Sequence, residues 1–115
     1  MGAPMNEPAK HAPADRQRLP NRRAHEVVDF EHNGRRFTAG VGYFADSRLG
    51  EIFINTSGRT GDDLEVLARD AAVMASLALQ FGGDVETLRR AVMRNSAGQA
   101  SGPVGQLLDL LAMEK

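Results

Sequence analysis

Asn33-Gly34 constrains this chain more than any other dipeptide in it. A two-residue type I′ hairpin turn needs positive φ at both central positions, and Asn followed by Gly supplies it. Strand-forming residues flank the pair: Val27, Val28 and Phe30 before it, Phe37, Thr38, Val41 and Tyr43 after it. With the turn fixed, the register follows by counting. His32 faces Arg35, Glu31 faces Arg36, Phe30 faces Phe37, Asp29 faces Thr38 and Val28 faces Ala39. One face then carries Val28, Phe30, Phe37, Ala39, Val41 and Tyr43, and the other carries Asp29, Glu31, Arg36 and Thr38. This alternation predicts an antiparallel pair with one dry and one wet face. Glu31 and Arg36 are expected to make a cross-strand ion pair worth about 0.2–1 kcal/mol.

A second turn is expected at Ala45-Asp46-Ser47-Arg48, then a third strand from Leu49 to about Thr56. Leu49-Gly50-Glu51-Ile52-Phe53-Ile54 is more apolar than simple alternation, which predicts a well-covered strand, central or at an interface. Asp62 suits a helix N-cap, with Glu65 three residues on, and the helix should run to about Phe81. Its apolar face is Leu64, Leu67, Ala71, Met74, Ala75, Ala78 and Phe81. From Ala71 to Leu79 the helix is apolar almost all round, broken by Ser76. The sheet is expected on one side, and a neighbouring helix or second subunit on the other. Gly82-Gly83 stop it. Asp84 caps a second helix, Val85 to about Arg94, and Asn95 to Gly102 reads as a flexible polar linker. Pro103 opens a last helix with Val104, Leu107, Leu108 and Leu111 as its stripe. The fold class is α+β: a three-stranded antiparallel meander packed on a long helix, followed by two shorter helices.

Residues 1–22 form a Pro-rich basic arm, expected to be flexible, and residues 23–115 a single domain. Pro4, Pro8, Pro13 and Pro20 lie in the arm, and Lys10, Arg16, Arg18 and Arg22, with Arg23 next in the chain, make its later part basic. The whole chain has 115 residues, 42% of them hydrophobic, and a net charge of −1, so no general electrostatic grip on nucleic acid is expected. Without cysteine it forms no disulfide, thiolate zinc site, iron–sulfur cluster or cysteine nucleophile. No apolar run approaches the ~18–20 residues of a membrane span, and a cytoplasmic protein is expected.

Few residues offer chemistry. His11, His25 and His32 lack metal-pair spacing, so neither a metal nor a cofactor is expected. Asp70 reads as an exposed helical charge, and Ser76 as a buried serine bonded back to a carbonyl. Ser57, Gly58, Arg59, Thr60 and Gly61 form the candidate anion- or ligand-binding loop, because helix-start amides beside an arginine suit an anion. Arg89, Arg90 and Arg94 share one side of the second helix and are the candidate nucleic-acid contacts, with the basic arm as their extension.

Three segments carry a resemblance. Gly50-Glu51-Ile52-Phe53-Ile54 with its polar loop ending in Gly61, Ala75-Ser76-Leu77-Ala78-Leu79-Gln80-Phe81-Gly82, and Val85-Glu86-Thr87-Leu88 resemble the strand, buried helix and second helix of the TSCPD domain. That domain ends adenosylcobalamin-dependent ribonucleotide reductases and also occurs as short free-standing bacterial proteins. With the preceding hairpin, the likeness covers about residues 24–94. In the reductase-attached versions a cysteine-bearing segment follows the second helix; here the stretch Asn95 to Pro103 has no thiol. The all-round apolar helix and the missing catalytic groups, set beside this resemblance, lead to the expectation of a non-catalytic free-standing binding and assembly module, a homodimer, with a reductase or another protein as partner. The alternative is an accessory protein binding nucleic acid or nucleotides.

Overall fold

The computed structural model describes residues 15–56 and 62–113. Strands β1 (His25–His32), β2 (Arg35–Tyr43) and β3 (Leu49–Thr56) form an antiparallel meander in that order. Asn33 and Gly34 have φ of 52° and 80°, as a type I′ turn requires, and the β1–β2 register is the one obtained by counting outward from them. Phe30 and Phe37 stack across the hairpin with centroids 5.4 Å apart. Glu31 and Arg36 do face each other, yet no ion pair joins them. On that wet face the cross-strand link is instead Thr38 Oγ1 donating to Asp29 at 2.7 Å. A short hydroxyl–carboxylate bond needs less side-chain ordering than two long charged chains in water.

Helices α1 (Asp63–Gln80), α2 (Val85–Ala91) and α3 (Pro103–Met113) follow. Asp62 caps α1, its carboxylate accepting from the Glu65 N–H at 2.8 Å. At the other end Gly82, with φ 106°, donates to Leu79 O, and Gly83 donates to Ala78 O at 2.8 Å. Those two bonds are a Schellman stop.

The third strand is not central: β2 is, and β3 lies at the sheet edge. Its burial comes from α1, which runs along it. The buried side of α1 is Ala68, Ala72, Ser76 and Leu79, with Glu65 and Gln80. Small residues let the helix come close, and two polar ones bond the strand. Ser76 Oγ accepts from the Ile52 N–H at 2.8 Å and lies 3.0 Å from Ile52 O and 2.9 Å from Ala72 O. Gln80 Nε2 donates to Gly50 O at 2.9 Å. The outward backbone groups of an edge strand are thus met by side chains of a helix. Ile52, Ile54, Phe37 and Val41 fill the core beside Leu107 and Leu108 of α3. Each such side chain contributes about 1.5–3 kcal/mol.

The stripe expected to be the buried face of α1 is largely uncovered. Leu67 is 65% exposed and Met74 71%, and Leu64 and Phe81 are exposed as well. The apolar period is helical, but the sheet chose the neighbouring arc, where alanines permit contact and Ser76 and Gln80 find backbone partners.

Residues 15–22 hold no helix or strand, yet they are anchored. The Gln17 N–H donates to Gln80 O at 2.7 Å, and Arg16 Nε donates to Gln80 Oε1. Leu19 lies against the space that a Cβ on Gly50 would take. Arg23 grips the buried Glu51 carboxylate with two donors, at 2.7 and 3.3 Å.

The second helix ends three residues sooner than expected. Val92 turns extended, and Arg94 pairs with Ala100 in an isolated antiparallel bridge. Residues 95–102, expected as a flexible linker, form a bonded turn: Asn95 Oδ1 accepts from the N–H groups of Ala97 and Gln99, both at 2.9 Å.

Ser76→Ala tests the helix-to-edge bond. It leaves the buried Ile52 N–H without its acceptor, so urea unfolding should show a loss of about 1–3 kcal/mol. An unchanged midpoint would mean that the bond contributes nothing.

Candidate functional site

The loop Ser57, Gly58, Arg59, Thr60 and Gly61 lies outside the described residues. Its exit is fixed: Asp62 caps α1 with one oxygen, and the other accepts from Arg35 Nη1 at 2.7 Å.

The three arginines are split in two ways. Arg89 and Arg94 converge on Asp109 of α3, a residue the sequence pattern did not single out. Arg89 Nε donates to its Oδ1 at 2.8 Å, while Arg94 Nη1 and Nη2 donate to Oδ2 and Oδ1 at 2.9 and 2.8 Å. Arg94 also donates to the carbonyls of Arg89 and Gly98. Arg90 stays on the surface, paired with Glu86. The hydrogen bond from Arg94 lowers the Asp109 carboxyl to about 2, with Arg89 acting in the same sense. Both guanidiniums are raised in turn, first through their bonds to Asp109. Two of the three positive charges are therefore engaged in joining α2 to α3.

Beside Asp109 lies a polar depression of about 530 Å³ lined by His32, Asn95, Gln99 and Gln106. His32 Nδ1 faces Gln106 Oε1 and its Nε2 faces Ser101 O at 3.0 Å; Gln106 Nε2 donates to Glu31 O. This chain of bonds ties the end of β1 to α3. His32 and Gln106 are bonded to each other and to backbone carbonyls, which makes this wall of the depression a joint between β1 and α3. A further groove is apolar. Leu64, Leu67 and Ala71 of α1, with Val92, Met93 and Pro103, line a groove of about 200 Å³. It continues into the uncovered stripe of α1.

Of the serine and aspartate weighed for chemistry, Ser76 bonds back to Ala72 O as expected and also holds Ile52. Asp70 is exposed. Among the described residues no helix is long and apolar enough to cross a membrane.

Compared with known proteins, 72 residues of this chain are 33% identical to part of a vitamin B12-dependent ribonucleotide reductase of Agrobacterium fabrum (strain C58 / ATCC 33970). The match takes in 63% of this chain and 6% of the reductase. A ribonucleotide reductase-related region thus lies within the chain, which spans only a small part of that relative's length. No family model matches, and no solved structure matches.

Asp109→Asn should cost about 1–2 kcal/mol at pH 7, because two arginines lose a charged acceptor. The carboxyl is depressed in the folded state, so its contribution is present above the ordinary carboxylate range near 4. It is lost as pH falls through about 2. Acid titration of stability should therefore be shallower between pH 4 and 2 in the variant than in the parent chain.

Proposed function

We propose that this chain is an assembly module of the TSCPD type. It works by binding and carries out no catalysis of its own. The observation that carries this reading is the uncovered apolar half of α1, on a scaffold whose shared residues match a ribonucleotide reductase. A soluble monomer rarely leaves so long an apolar helix face in water without a partner for it. The carboxylate with the largest resolved departure, Asp109, serves as a structural acceptor between two arginines, which supports a binding rather than a catalytic role. The module assembles with itself, and its other partner is a cytoplasmic B12-dependent reductase or a protein like it.

Mixed with a purified vitamin B12-dependent ribonucleotide reductase, the chain should co-sediment with it at micromolar concentration. Alone, with nucleotide, reductant and adenosylcobalamin, it should yield no deoxynucleotide. Absence of the complex would remove the reductase partner, and turnover by the chain alone would overturn the non-catalytic reading.

A further inference from the structure

The uncovered residues of α1 are spaced in a particular way. Leu64, Leu67, Ala71, Met74, Ala78 and Phe81 follow steps of three and four, the seam of a heptad repeat, with Ala78 half-buried and Val66 and Val73 exposed to one side of it. The seam runs the length of α1, about 26 Å. The sheet occupies the other side of the helix, and among the described residues only the start of α3 comes near the seam, beside Leu64, Leu67 and Ala71, with no helix packed along its length.

We propose that this seam is a homodimer interface, in which α1 of two copies pack antiparallel about a twofold axis midway between Ala72 and Val73. This rests on the self-assembly reading above and gives it a geometry. In that register Leu64 meets Phe81 of the second copy, Leu67 meets Ala78, and Ala71 meets Met74. Each alanine then receives a large side chain, and the complementarity repeats on both sides of the axis, as an isologous interface demands. A parallel pair does worse: it sets Ala71 against Ala71 and Ala78 against Ala78, leaving voids, and crowds two Phe81 rings together. Asp70, on the flank, falls opposite Leu77 of the second copy, so the central layers bring no like charges face to face.

The area is sufficient. Leu64, Leu67, Met74, Phe81 and the adjoining Met93 are between 40% and 77% exposed. They present on the order of 600 Å² of apolar surface per chain. Two copies then bury on the order of 1,200 Å², the lower bound for a stable specific interface. The groove beside Leu64 and Met93 lies at the end of the seam, where Phe81 of the second copy arrives.

The test uses the full chain, whose lack of cysteine makes introduced thiols unambiguous. Sedimentation at micromolar concentration should show twice the 12.4 kDa chain mass. Met74→Glu alters a side chain that is mostly exposed in the single chain, so circular dichroism should be unchanged. The dimer should nevertheless weaken by about 30-fold or more. Register is read by oxidation: Leu67→Cys mixed with Ala78→Cys should cross-link between differently tagged copies. Neither variant alone should do so, because like positions lie about 16 Å apart along the axis. A monomeric parent chain would overturn both the interface and the self-assembly reading. A dimer in which Leu67→Cys links to itself, or in which the mixed pair never links, would overturn this geometry and leave self-assembly standing.

Discussion

The structure depends on how the outer edge of β3 is closed. A three-stranded meander has two edges, and each presents backbone N–H and C=O groups that need partners. Here one edge is met by a serine and a glutamine on a helix rather than by another strand. Ser76 accepts from the Ile52 N–H and shares its one hydroxyl proton between Ile52 O and Ala72 O, and Gln80 donates to Gly50 O. These bonds fix the rotation of α1 about its own axis. With Ser76 and Gln80 facing the strand, Leu67 and Met74 must face away from it. The uncovered apolar arc is thus the geometric counterpart of a satisfied edge.

Gln80 ties further parts together. Its side chain bonds β3 and accepts from Arg16, while its carbonyl accepts from Gln17. The last turn of α1, the start of β3 and the segment before β1 meet at this one residue. Leu19 completes the contact by lying in the space that Gly50 leaves free. A side chain there would come within 2.8 Å of the Phe44 ring, so glycine is needed for packing and not for its backbone angle.

Local signals in the sequence were enough for the hairpin, its register and every helix start. Asn33-Gly34, Asp62, Asp84 and Pro103 act within a few residues, and each carries its partner with it. What escaped were relations between distant residues. Nothing near Asp109 in sequence indicates that Arg89 and Arg94 will converge on it from 20 and 15 residues away. Asn95 to Gly102 looks like a linker by composition, and only the bridge between Arg94 and Ala100 reveals a closed turn. The helical stripe was legible, but periodicity says that a face is apolar without saying which chain covers it. The candidate arginine site was legible as a cluster of charge, while the neutralising carboxylate lay on another helix.

The manner in which α2 is held has its own consequence. No residue of that helix is buried, and Arg89, with Arg94 just beyond its end, binds it to Asp109 on α3. The core face of the hairpin and the Ser76 and Gln80 bonds that close β3 rest on apolar contact and neutral groups, which dissolved ions barely touch, and the Glu51 carboxylate held by Arg23 is buried. Partly exposed ion pairs are screened within about 8–10 Å at ordinary ionic strength. Salt therefore acts unevenly on this molecule. It loosens the Asp109 joint between α2 and α3, and the comparably exposed Arg35–Asp62 pair at the start of α1, while the apolar core and the Ser76 and Gln80 bonds stay as they are.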